Sequence, residues 1–345
     1  MNQPGGPGGC ARRATIREGL ACSRGETSRV FDSRPSAGGL LYAVSHKKHR
    51  LVVPIQVGLT VFMPPLIDTH LHIWDPGAFD MPWLDGSSPV LERVFTMKDY
   101  ADATVRFPPT KSIYIEVDVV PSDRLAEFNS VIELLLEESN PLCAAIMAAD
   151  PAGPDLVDWI TRAQEVQGVP GFRMVLHQDD KPPGACLDPR FIEGVRRIGE
   201  AGMHFELCMR MEELGDAVQL ADAAHLTPLV LNHCGNPKLD GRDLAQWREE
   251  VARLAQRENV FCKVSGLLEN SDPDWSIDQI RTVIEHVRAV FGHERIFFGS
   301  NWPGCNLRGG YGRWQEVLED VTSSWTEEER ASLFFENASR FYKLG

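Results

Sequence analysis

The sequence predicts a single (β/α)8 barrel, the TIM barrel of the α/β class. Three observations carry this. Eight short apolar runs recur between Leu66 and Ser300. Stretches with helical periodicity separate most of them. The body they build, residues 63–345, has 283 residues, close to the roughly 250 usual for this architecture. An open doubly wound sheet is the rival. It calls for a glycine-rich turn after its first strand, and DTHLHIWDP, residues 68–76, is not one.

The strands are read, in order, as LIDTHL from Leu66, SIYIEV from Ser112, LCAAIMA from Leu142, GFRMVL from Gly171, HFELCM from His204, TPLVLN from Thr227, NVFCKV from Asn259 and RIFFGS from Arg295. The helices lie over residues 123–138, 154–166, 189–202, 211–224, 244–256 and 277–292, where apolar residues recur every three to four positions. Ser122-Asp123 and Ser276 supply helix-start chemistry. The first connection, Asp75 to Lys111, is long and rich in Pro, Asp and Trp. It is expected to cover the barrel mouth.

Residues 1–62 differ from this body. They carry nine Lys/Arg against three Asp/Glu, leaving 26 against 46 for the rest of a chain whose net charge is −14. They show no lasting period and read as a poorly ordered extension upstream of a barrel that starts near Met63. The alternative is an Arg- and Ser-rich mitochondrial transit peptide. The acidic body argues against nucleic acid and anionic membranes as partners, and leaves a small-molecule substrate. The eight cysteines form no C-x-x-C pair and read as free thiols of a cytoplasmic protein. The longest apolar run, Leu51 to Met63, falls short of the roughly 20 residues that span a bilayer. An oligomer is compatible with all of this.

Function is read at the strand ends, where barrels of this kind place their chemistry. His70 and His72, two positions apart on a strand, share one face. Two imidazoles side by side suit a metal such as zinc, or a catalytic pair. Further strand ends carry Glu116, Arg173 with His177 beyond it, Glu206, His233, Lys263 and Asn301. Polar groups at so many strand ends are costly unless they line a site. Glu116 reads as a third metal ligand, a general base, or a partner of Arg173 or Lys263. Arg173 suits an oxyanion or a pairing with Glu206. His177 and Lys263 are candidate substrate contacts, as are Trp74 and Trp302; Trp83 is a third candidate wall. Cys234 and Cys305 read as packing thiols, the first because neighbouring strand residues face opposite ways.

Taken together, LIDTHLHIWDP, YIEVDV, GFRMVLH, LVLNHCGNP, FCKVSG, FFGSNWPGC and LFFENASRFYKL resemble the amidohydrolase-2 branch of the amidohydrolase superfamily, and within it the sugar-lactonase group. The resemblance spans Leu66 to Leu344. It implies an amidohydrolase-type barrel that hydrolyses a lactone, with one divalent metal in some relatives and none in others. Together with the strand-end reading, it makes His70, His72, Glu116, Arg173, His233 and Asn301 the catalytic candidates, and His70, His72 and Glu116 the candidate donors of any metal. One departure stands out. Where the family usually has the aspartate that deprotonates water, this chain has Asn301, and an amide cannot take that proton. Changing it to aspartate is therefore expected to raise activity, unless Glu116 or His233 has taken over. The other readings are a metal-dependent decarboxylase on the same scaffold and an inactive barrel that binds a ligand.

Overall fold

The computed structural model describes residues 65–344. The readings of residues 1–62, and of a start at Met63, lie outside the described residues.

Eight parallel strands form one sheet in sequential order: β1 (Ile67–Leu71), β2 (Lys111–Ile115), β3 (Leu142–Ala148), β4 (Gly171–Val175), β5 (His204–Cys208), β6 (Leu229–Leu231), β7 (Val260–Val264) and β8 (Ile296–Phe298). The sheet closes on itself. Thr69 Oγ1 donates to the Phe298 carbonyl at 2.6 Å, and the Asn301 and His72 amides donate to the His70 and Trp302 carbonyls, each at 2.8 Å. Every apolar run of the sequence contains a strand. The helices α1 (Met97–Ala103), α2 (Arg124–Leu135), α3 (Leu156–Gln164), α4 (Pro189–Glu200), α5 (Leu214–Ala223), α6 (Ala245–Ala255), α7 (Ile277–Phe291) and α8 (Gly310–Val321) pack outside. Six match the periodic stretches. Short α1 and the glycine-opened α8 were not among the periodic stretches read, although α8 buries an apolar stripe of Tyr311, Trp314, Val317, Leu318 and Val321.

Of the two helix-start signals, Ser276 forms a capping box with Gln279. Asp123 makes no cap hydrogen bond. Its carboxylate accepts the Asp80 amide at 2.8 Å instead, tying the long first connection to the start of α2.

The barrel interior is layered. An apolar cluster of Ile67, Ile113, Ile115, Ile146, Val230 and Phe297 joins Ala338 and Tyr342 from the chain's last turns. Beyond it lie two buried ion pairs. Lys263 Nζ donates to both oxygens of Glu206 at 2.8 and 2.7 Å and to the Thr69 carbonyl at 2.7 Å. Arg173 meets Glu116 at 2.5 Å. Charges this deep persist only when paired and hydrogen-bonded. Of the pairings read in the sequence, Arg173 with Glu116 forms and Arg173 with Glu206 does not: Glu206 takes Lys263 instead.

Candidate active site

A cavity of about 290 Å³ opens at the C-terminal ends of the strands, at the small end of the range for ligand pockets. His72, Trp74, Arg173, His177, His233 and Asn301 line it. His70 lies beneath, fully buried, its ring centroid 4.5 Å from that of His233. The structure thus brings most of the sequence-predicted residues to one end of the barrel. Trp74, and Trp83 and Leu91 from the long first connection, complete the wall.

Asp68 holds β1 in place. Its Oδ1 accepts the amides of His70 at 3.1 Å and Ser300 at 2.8 Å, and its Oδ2 accepts the Tyr100 hydroxyl at 2.7 Å. One carboxylate therefore fixes both the β1 histidines and the β8 turn that carries Asn301.

The histidines are neutral. Burial, reinforced by Arg173, pushes His72 down to about 3 and His177 to about 4. Burial drives His70 and His233 well below the usual imidazole range, with neighbouring histidines and cations adding to it. The tautomers follow from the hydrogen bonds. His72 Nδ1 lies 2.8 Å from the Ile115 carbonyl, so it carries the proton and leaves Nε2 as a lone pair. His70 Nε2, 3.1 Å away, donates to that lone pair. This strips His70 Nδ1 of its proton, and the atom is buried without a partner. His233 Nδ1 is engaged by Ser265 Oγ at 2.9 Å. Gly266 makes room for that ring: a Cβ there would lie 2.4 Å from His233 Nδ1, at a φ of +65°.

Arg173 is anchored on two prongs. Nε donates to Glu116 Oε1 at 2.5 Å and Nη2 to the Glu116 carbonyl at 2.6 Å. Nη1 is the prong left toward the histidines, 3.4 Å from His70 Nε2. Glu116 is consumed by this arrangement, because its Oε2 accepts the Asp118 amide at 2.6 Å. Each of its oxygens is thus already engaged within the protein.

The donor set does not fit the divalent metal that the resemblance implies. No group of three His, Cys, Asp or Glu side chains suited to a metal occurs among the described residues. His70 and His72 converge, but Glu116 belongs to Arg173, and the guanidinium brings a permanent positive charge against the histidine pair. Asn301 adds no charge.

Two candidate substrate contacts sit elsewhere. Lys263 is fully buried on Glu206, below the cavity. Trp302 is also buried, packed against Phe95 and Tyr100 with ring centroids 5.3 Å away, because its backbone is part of the β1–β8 seam. Cys234 and Cys305 are buried. The packing reading of Cys234 stands, but its reason changes: Asn232–Gly235 is a tight turn with His233 and Cys234 both at φ +53°, so strand alternation does not apply.

Sequence reasoning missed Glu269, Asp118, Asn236 and Asn270, all of which line the cavity. Asp118 and Glu269 lie a few residues past the ends of β2 and β7. The signal was a short polar cluster after each strand, Asp118 in EVD and Glu269-Asn270 after SGLL. Burial lifts Asp118 to about 6, with Glu116 adding to it, and Glu269 to about 7.

The amidohydrolase family profile matches residues 67–344. An L-fucono-1,5-lactonase of Burkholderia multivorans is 29% identical over 299 residues, covering 81% of this chain and 96% of that protein. An L-rhamnono-gamma-lactonase of Scheffersomyces stipitis is 26% identical over 208 residues, 53% of this chain and 61% of that one. An amidohydrolase from B. multivorans, solved with bound zinc, superposes with a TM-score of 0.73 at 26% identity, covering 81% of this chain and all of that one.

Proposed function

The chain belongs to the amidohydrolase family and is a hydrolase related to the lactonases, and we propose that its substrate is the uncharged lactone of a sugar acid. The cavity wall supports this reading. Two tryptophans, Trp74 and Trp83, stand against carboxylates and amides at Asp118, Asn236, Glu269 and Asn270. Aromatic faces and fixed polar acceptors suit a polyhydroxylated ring. Arg173, the permanent cation of the wall, is already neutralised by Glu116, so a substrate carboxylate would find little compensation there. The sugar-lactonase relatives point the same way.

In this reading water attacks the lactone carbonyl. Arg173 Nη1, held by the two anchored prongs, meets the developing oxyanion without rearranging. The neutral pair His70 and His72, tied to each other and to the Ile115 carbonyl, presents His72 to the water as an uncharged wall. Glu116 orients Arg173 and takes no proton itself, which leaves His233 and the unforeseen carboxylates as acceptors. Decarboxylation, the alternative on this scaffold, draws no support from the donor set described above. No described helix is long and apolar enough to cross a membrane, and the six described cysteines are free, as a cytoplasmic enzyme's would be.

A pH-indicator assay tests the reading with L-fucono-1,5-lactone, L-rhamnono-1,4-lactone and lactones bearing an extra carboxylate. Turnover of the neutral lactones, with little or none of the anionic ones, is expected. The opposite preference, or no turnover at all, would refute it.

A further inference from the structure

We propose that Glu269 is the catalytic residue that takes the proton from the attacking water, and that Asn301 is the residue that aims it. The proposal rests on the lactonase reading above.

Glu269 is the carboxylate on the β7 side of the cavity. Its Oε1 accepts the Asn301 amide, Nδ2, at 2.9 Å. The Asn301 backbone amide donates to the His70 carbonyl at 2.8 Å. The asparagine thus bridges the histidine pair of β1 and the carboxylate beyond β7. No Lys or Arg forms an ion pair with Glu269 among the described residues, whereas Glu116 and Glu206 are both committed to cations. Asp118, the other cavity carboxylate, sits on the far side among Glu116, Arg173, Asp180 and Lys181, with no link to the histidines.

The loop that carries Glu269 is fixed from several directions. The Leu239 amide donates to the Asn270 carbonyl at 2.8 Å. Asn270 Nδ2 donates to Asn236 Oδ1 at 3.1 Å. Arg308 Nε donates to the Ser271 carbonyl at 3.1 Å. Gly304 leaves the necessary space: a Cβ there would stand 2.9 Å from Asn301 Nδ2 and 3.2 Å from Glu269 Oε1. A base held this way is pre-positioned, which is what proton transfer requires.

The titratable and charged groups around Glu269 are Arg308 and Cys305, from the segment after β8, and His72, which lines the same cavity. Burial outweighs the opposing hydrogen bonds and Arg308, and holds the carboxyl near neutrality, which suits a base working at neutral pH.

The step balances. Water oxygen bonds to the lactone carbonyl carbon as one water proton passes to Glu269, and the oxyanion forms beside Arg173. Collapse breaks the bond from that carbon to the ring oxygen. The departing alkoxide takes the proton from Glu269, restoring the carboxylate. The product is a hydroxy acid, which ionises in solution.

The test uses the full chain and L-fucono-1,5-lactone. E269Q should stay folded by circular dichroism and lose roughly 10²- to 10⁴-fold in kcat, the usual worth of a general base, with KM little changed. E269A should regain activity in proportion to added formate, and the acid limb of the wild-type kcat profile, near pH 7, should be absent from both variants. E269Q close to wild-type kcat overturns the proposal, and so does an inactive E269A that formate does not rescue. If wild type opens no lactone, the lactonase reading fails first and this proposal with it.

Discussion

Asn301→Asp separates two accounts of the site. If the asparagine is simply a missing base, aspartate should accelerate the enzyme. The structure predicts otherwise. The new carboxylate would stand where the amide now donates, 2.9 Å from Glu269 Oε1. Two unit charges at that distance repel by about 6 kcal/mol at an effective dielectric of about 20, or roughly four pK units. The pair would not carry the full repulsion, because one carboxyl keeps its proton. The two groups then titrate as a coupled pair in two separated steps. The single acid limb near pH 7, set by Glu269, should split, with the upper step displaced by about two units or more. Activity at neutral pH should fall, since the shared proton weakens the remaining base. The assay is kcat against pH for wild type and N301D on the same neutral lactone. A faster N301D with one unsplit limb would refute the coupling of Asn301 to Glu269.

E269Q bears on stability as well. The folded-state pKa of Glu269 is raised from 4.5 to about 7, so the stability linked to its protonated form is present below 4.5 and lost as pH rises through about 7. E269Q should therefore melt with wild type near pH 4 and above it near pH 8; matching curves at both would refute the shift. K263M strips the buried Glu206 of its cation and should cost about 3–5 kcal/mol in urea unfolding, while kcat of the folded fraction holds, because Lys263 does not line the cavity. Dialysis against a chelator should leave lactone turnover intact, and a loss reversed by zinc would overturn the reading of the donor set. Deleting residues 1–62 is expected to leave both melting temperature and turnover nearly unchanged.

The barrel was legible because its strands are buried on both faces and so appear as unbroken apolar runs; LCAAIMA coincides with β3. The site was legible only in part. His70, His72, Arg173 and His233 stand out as polar groups in apolar strands, a contrast visible in the sequence. Pairing was not visible. Whether Arg173 meets Glu116 or Glu206 depends on depth and stagger inside the barrel, which sequence spacing does not encode. Lys263 looked like a substrate contact for the same reason. Glu269 was hidden differently: it stands in a polar loop, where a glutamate attracts no notice, and its importance arises from contact with Asn301, 32 positions away.

Backbone strain locates the site a second time. Six non-glycine residues among those described have positive φ: Asp118, His233, Cys234, Asn236, Asn301 and Lys343. All but Lys343 follow the C-terminal ends of β2, β6 or β8, and four of those five line the cavity. Left-handed backbone costs roughly 1–2 kcal/mol per residue, less for Asn and Asp, so the set is a sizeable fraction of a typical folding stability of about 5–15 kcal/mol. Such conformations persist where surrounding bonds over-determine them. The Asp118 amide is fixed by Glu116, the Asn301 amide by the His70 carbonyl, Asn236 Nδ2 by the Met209 carbonyl at 2.9 Å, and the Cys234 carbonyl by Trp247 Nε1 at 2.8 Å. Each bond comes from a different part of the barrel. A relaxed turn at these strand ends would aim His233 and Asn301 elsewhere; the strained turns hold them toward the cavity that Arg173 and Glu269 share.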